Sequence, residues 1–185
     1  MLTDLLSEFV LPLEFNSTIL NDNTLLPNAY SIKLSMNTLG TSSENAAIGF
    51  QRITYFTTYC LQSSLILDQT TDFFKSVDTL DNNLVCLPCE SYDIYLGAIL
   101  LAKFQAITSE YFDIQCLSIA STLGEYIQFN ICDVDEIQMD LTGDQWWNQD
   151  NMYTGSKTPI TWDTLNLTDI PKFKPILVKG GLSEN

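Results

Sequence analysis

Histidine is absent from this chain of 185 residues, and Arg52 is its only arginine. The first absence removes the commonest general base, the usual Ser-His-Asp arrangement and every His-ligated metal site. The second leaves little for clamping phosphate groups. Neither a Walker-type loop nor a GxGxxG stretch is present. Long apolar runs are missing too. The longest, Ile94–Ala102, has nine residues, against roughly 20 needed to span a bilayer. The first 15 residues carry Asp4, Glu8 and Glu14 and no basic residue, unlike a secretory signal. The expectation is a soluble protein made in a cytosol. The Asn16 and Asn166 sequons would then be irrelevant.

Positive charge is scarce. Twenty-three acids face eight basic residues, a formal charge of −15. Such a surface repels nucleic-acid phosphates and anionic membranes, so neither is expected as a partner. From Phe104 to Ser156 there is no Lys or Arg, while nine acids occur. Half of the basic residues, Lys157, Lys172, Lys174 and Lys179, fall in the last 29 positions. That separation allows an acidic body to meet a basic tail, its own or a neighbour's. Solubility alone is the plainer reading.

What is there suits one α+β domain over residues 1–134, followed by an extended acidic-to-basic C-terminal arm over 135–185. Leu2, Leu5, Leu6, Phe9 and Val10 have helical spacing, which predicts a short helix over residues 1–12 stopped at Pro12. Residues 16–29, rich in Asn, Ser and Thr, read as a loop. Tyr30, Ile32, Leu34 and Met36 alternate with polar residues, a half-buried strand. A helix should run from Ser42 or Ser43 to Gln62, with Phe50 and Ile53 on its core face. A second stripe of Ile48, Arg52, Tyr55 and Tyr59 suggests cover on two sides. A short helix is expected around Asp72–Leu80, and a strand over 84–88. Ser91 can cap a buried helix running from Tyr92 to Thr108. Phe112–Ile119 and Ile127–Ile131, joined by Thr122-Leu123-Gly124, predict a hairpin. The architecture expected is a mostly antiparallel sheet with that hairpin central, packed on two main helices. Short strands are expected in the arm at Thr158–Trp162 and Pro175–Val178.

Chemistry is sparse. Cys86-Leu-Pro-Cys89 resembles the thioredoxin redox motif, and a helix N-terminus lowers a thiol pKa. Here, though, Cys86 sits in the apolar run "LVCLP" and the helix begins only after Cys89. Two small side chains beside a turn is the plainer account. Cys116 and Cys132 fall on facing strands and would stay free in a reducing cytosol. The acids Asp133, Asp135, Glu136 and Asp140 do not match the EF-hand spacing. With Asp144 and Asp150 they form an acidic surface, and no metal or cofactor is expected. "GDQWWNQDN" places Trp146 and Trp147 among polar residues. Burying an indole removes about 150–250 Å² from water. That makes the pair the arm's main docking element, on its own domain or on a partner. Arg52 with Tyr55 and Tyr59 has the composition of an interface anchor or of an Arg stacked inside the monomer.

Three stretches carry a family resemblance: "GFQRITYFTTYCLQSSLIL", "LVCLPCESYDIYLGAILLAKFQAI" and "LSIASTLGEYI". Their Gly-Phe-x-Arg helix, Leu-Pro-x-x-x-Tyr-Asp entry and Ser-x-Leu-Gly turn resemble small uncharacterised proteins of large T4-like tailed phages. The resemblance covers about the middle half of the chain and implies a phage origin, with no catalytic residues to carry over. It would place the protein in the host cytoplasm during infection, or in the virion. The function expected is a non-enzymatic phage protein acting through protein–protein contacts. It would be an assembly or virion component, or a small homo-oligomer, with other copies or other phage proteins as partners. The alternatives are an acidic nucleic-acid mimic inhibiting a basic host protein, and a CxxC oxidoreductase.

Overall fold

The computed structural model describes residues 8–21, 24–40, 43–72, 74, 83–134, 137, 139 and 141–155. The expected helix around Asp72–Leu80 and the arm strands at 158–162 and 175–178 lie largely or wholly outside them.

Six strands form one sheet: β1 (Glu8–Asn21), β2 (Thr24–Thr38), β3 (Leu65–Asp68), β4 (Leu84–Leu87), β5 (Phe112–Ser121) and β6 (Phe129–Ile131). Their spatial order is β4-β3-β1-β2-β5-β6. The pairs β1–β2, β2–β5 and β5–β6 are antiparallel, while β1–β3 and β3–β4 are parallel. Two helices, α1 (Ser43–Phe56) and α2 (Asp93–Thr108), complete an α+β fold with a mostly antiparallel sheet. Helix α1 continues into a π turn over Thr57–Leu61. The long β1–β2 pair takes the middle of the sheet, and the C-terminal hairpin β5–β6 lies at one side.

The helix expected over residues 1–12 is corrected from Glu8 onward, where strand β1 begins; residues 1–7 lie outside the described part. The loop expected over 16–29 is likewise strand on both sides of residues 22–23. Burial explains both. Leu11, Leu13, Phe15, Ser17 and Ile19 face the core, a period of two that holds to the end of the strand. Pairing with β2 over 14 registered positions outweighs the helical spacing of the first few residues. The prolines sit where each strand has one neighbour only: β3 meets β1 at Thr18 and Ile19, away from Pro12, and β5 meets β2 from Tyr30 onward, past Pro27.

Along β1, β2 and β5 one face of the sheet is apolar and the other largely polar, whereas β3 and β4 are buried on both faces, with Leu65, Leu67, Leu84 and Cys86 forming a second apolar cluster. Along β5 the buried positions change parity, from Phe112 and Ile114 to Leu117, Ile119 and Ser121. A bulge opposite Ser35 and Met36 produces the change. Without it, half of β5 would turn its apolar side chains to solvent. Helix α2 is apolar on nearly every side and buried, because it has the sheet beneath it and other chain above. A side chain at Gly97 would run into Ile119 and Ile131, so glycine sets how closely α2 lies on the sheet.

The cover above α2 is a strap, residues 141–155. At its end Thr154 O accepts a bond from the Cys86 amide at 2.9 Å. The Thr154 hydroxyl donates to Leu84 O. The strap thereby closes the outer edge of β4, an edge that would otherwise expose unpaired groups. At the opposite side, Cys116 and Cys132 are joined as a disulfide across the hairpin, their Cα atoms 4.1 Å apart. The hairpin register, with Leu117 opposite Ile131, sets the two residues against each other, and in a reducing cytosol the same pair is expected to be free.

Candidate docking cleft

A cleft of about 850 Å³ opens at one end of the molecule. Four stretches build it: the β1–β2 connection (Ile19, Leu20, Leu26, Asn28), the end of β3 (Asp68, Thr71), the entry to α2 (Glu90–Tyr95) and the turn after β5 (Leu123, Gly124, Ile127, with Phe129). Ser91 does not cap α2, whose N-cap is Tyr92 with no side-chain bond. Its Oγ is buried with no hydrogen-bond partner among the described residues. The Asp93 carboxyl, pushed above its ordinary value by burial, is partly restored by a 2.7 Å bond from Ser121 Oγ.

The turn Thr122–Ile127 forms one wall and carries backbone strain. Ile127 N donates to Gly124 O at 2.9 Å, closing a four-residue turn whose central residues, Glu125 and Tyr126, have φ of +52° and +61°. Positive φ at both central positions is the pattern of a type I′ turn, where Asn-Gly is preferred. A left-handed conformation costs about 1–2 kcal/mol for an ordinary L-residue. The strain persists because the turn is held from both sides. Asn28 Oδ1 accepts bonds from Leu123 N at 3.0 Å and Thr122 Oγ1 at 2.8 Å. Ser121 Oγ accepts from Gly124 N at 3.0 Å while donating to Asp93. A Cβ at Gly124 would strike that same carboxylate.

What this turn presents is apolar. Among the described residues eight large hydrophobic side chains stand exposed, and five belong to this end: Leu25, Tyr92, Leu123, Tyr126 and Ile127. Tyr126 is 72% exposed. An apolar group concentrated at one end differs from scattered surface hydrophobics, which need no explanation.

The residues singled out from sequence lie elsewhere. Trp146 and Trp147 form a short 3₁₀ turn of the strap and are 3% and 2% exposed, so they dock on their own domain. Trp146 Nε1 donates to Cys86 O at 2.8 Å and Trp147 Nε1 to Leu141 O at 3.0 Å. Burial of each ring is worth about 4–6 kcal/mol as an upper bound. Beneath them lies Lys103, fully buried in the middle of the apolar helix α2. Its Nζ donates to Trp146 O and Gln149 O at 2.9 and 2.8 Å. Burial draws its pKa down to about 7, against smaller upward effects of Cys60 and Asp150.

Arg52 also works inside the molecule. It donates to Ile107 O at 3.0 Å near the end of α2, pairs with Asp150 at 3.1 Å, and stacks over the Tyr111 ring at 5.0 Å. Tyr55 and Tyr59 lie together, ring centroids 4.3 Å apart, with Tyr59 exposed. The strap therefore covers the second stripe of α1 only in part. Asp133 and Asp144 are on the surface. Asp135, Glu136 and Asp140 lie outside the described residues, and no group of three metal-ligating side chains is found among those described. Cys86 is fully buried in β4; burial, with Asp68 and Glu90 nearby, pushes the Cys89 thiol up.

The cleft is not legible in the sequence because its walls come from four separated stretches. The one local signal was Glu125-Tyr126, an ordinary pair just after the glycine to which a turn is naturally assigned. Comparison with protein-family models, curated proteins and solved structures finds no match. No helix among the described residues is long and apolar enough to cross a membrane.

Proposed function

We propose that this chain is a non-enzymatic protein of a T4-like tailed phage that works through protein–protein contacts, as an assembly or virion component or a small homo-oligomer. One observation carries the contact reading: a strained turn, pinned by Asn28 and Asp93, holds Tyr126 and Ile127 out at an apolar end of the molecule. Strain kept at a surface and paired with exposed apolar side chains fits selection for contact better than selection for stability. The indole pair serves a different end, fixing the strap to the domain.

The two alternatives have less support. An acidic mimic needs a row of free carboxylates, yet Asp150 is bound to Arg52. A CxxC oxidoreductase needs an accessible low-pKa thiol, yet Cys86 is buried and the Cys89 thiol is raised.

Quantitative mass spectrometry of purified particles of the encoding phage tests the proposal, together with sedimentation of the pure chain. Stoichiometric copies in the particle, or a defined oligomer in solution, are expected. Tyr126→Asn with Ile127→Ser should reduce either one at least fivefold. A chain absent from particles and monomeric at every concentration would sink the proposal.

A further inference from the structure

The cleft has walls of Ile19, Leu26 and Phe129 and two tyrosines, Tyr92 and Tyr95. The charged residues lining it are Asp68, Glu90 and Asp93, with no Lys or Arg among the described lining residues. Glu125 stands exposed on the turn beside them. A complementary occupant brings apolar side chains for the walls and cations for the rim, where tyrosine faces add to the attraction.

The chain carries such a segment. Residues 171–179 read PKFKPILVK, with Lys172, Lys174 and Lys179 set among Phe173, Ile176, Leu177 and Val178, and no acid. Pro171 and Pro175 reduce the freedom such a segment loses on binding in extended form. The strap also delivers it to the right place. Gly155, the last described residue, packs against Cys86 of β4. Glu90 of the cleft wall lies four residues farther along the chain than Cys86, a span of at most about 14 Å. The 16 residues between Gly155 and Lys172 can extend to roughly 55 Å. The segment therefore reaches the cleft with slack, and a short tether of this kind gives an effective concentration near millimolar. That places the chain's own segment ahead of a second copy's.

We infer that the cleft between the entry to α2 and the Thr122–Ile127 turn docks this chain's own Lys172–Lys179 segment in cis. This rests on reading that end as a contact face, and it means that a partner approaching there competes with the segment.

The test uses the full chain with a photo-crosslinking amino acid in place of Phe173. Irradiation should give products at monomer mass, with crosslinks mapping to residues 90–95 or 122–129 by peptide mass spectrometry. The triple change K172E/K174E/K179E should lower their yield at least fivefold. Crosslinks confined to a dimer overturn docking in cis. Crosslinks to other surfaces, none at all, or a yield unmoved by the triple change overturn the segment as occupant. Loss of assembly in the Tyr126→Asn, Ile127→Ser variant is a separate readout, so the contact face can stand where the segment fails.

Discussion

Lys103 Nζ donates a 2.9 Å hydrogen bond to the carbonyl oxygen of Trp146, 43 residues away in sequence. The bond joins the middle of α2 to the turn that carries both indoles. Met at this position keeps the apolar stem but removes the amine's two hydrogen bonds, while the Trp146 and Gln149 carbonyls each keep one backbone donor, Gln149 N at 3.3 Å and Asn151 N at 3.0 Å. A net hydrogen bond is worth about 0.5–1.5 kcal/mol. Lys103→Met should therefore destabilise the protein by about 1–3 kcal/mol near pH 8.5, read by denaturant unfolding. A loss under about 0.5 kcal/mol would show that the strap does not depend on this amine.

The same amine should tie stability to pH. Its folded pKa, about 7, lies below the usual lysine value of 10.5. Between those values the unfolded chain binds more protons, so stability rises with pH. The neutral amine still has two N–H groups, enough for both carbonyls. Cys60 opposes the trend above pH 9, because burial raises its thiol to about 12 and the unfolded thiolate is then favoured. The clean window is pH 7 to 8.5. There the wild-type unfolding free energy should gain on that of Lys103→Met; parallel curves would mean an amine that stays charged in the fold.

The Arg52–Asp150 pair separates two contributions at one guanidinium. Asp150 is half exposed, so Asp150→Asn should cost under about 1 kcal/mol and lose its effect in high salt. Arg52→Met also strips the Ile107 carbonyl of its donor and removes the stack on Tyr111. It should cost about 2–3 kcal/mol by the same measurement. Equal losses for the two variants would put the stabilisation in the ion pair after all.

Legibility followed locality. The pairing of β5 with β6, both helices and the strand at β4 could be read because their apolar spacing is self-contained, but the three-residue turn expected at Thr122–Gly124 is instead a connection over 122–128 with its tight turn at Gly124–Ile127. Strand β1 could not, because its first residues fit a helix and its burial pattern shows only once β2 is beside it. The indole pair announced its own burial through sheer apolar area in a polar stretch. Lys103 did not, since its acceptors at Trp146 and Gln149 are backbone atoms that carry no residue signature. The cleft was least legible of all, as no single stretch contains more than one of its walls.

Thiol counting checks the cysteine arrangement. Of five cysteines, Cys116 and Cys132 are joined, while Cys60, Cys86 and Cys89 are outside any disulfide. Protein oxidised in air and unfolded without reductant should show three reactive thiols, rising to five after reduction. In the native state at neutral pH, Cys86 should be inert and Cys89 slow, because the one is buried and the other has a raised pKa. Rapid modification of both would reopen a redox role for the Cys86–Cys89 pair.

The turn offers the sharpest trade between stability and contact. Glu125 and Tyr126 occupy positions whose positive φ suits Asn and Gly, and each left-handed residue costs about 1–2 kcal/mol. Glu125→Asn with Tyr126→Gly relieves that cost, less about 0.4–1 kcal/mol for the extra freedom of glycine in the unfolded chain. A net gain of about 1–2 kcal/mol should follow, raising Tm by roughly 2–8 °C for a protein of this size. The same change removes the 72% exposed Tyr126 ring from the turn whose Leu123, Gly124 and Ile127 line the cleft. It should therefore weaken particle incorporation or self-association while the fold grows firmer. A stabilised variant that assembles as well as the wild type would break the link between strain and contact, and Tyr126 would then be an accident of the turn.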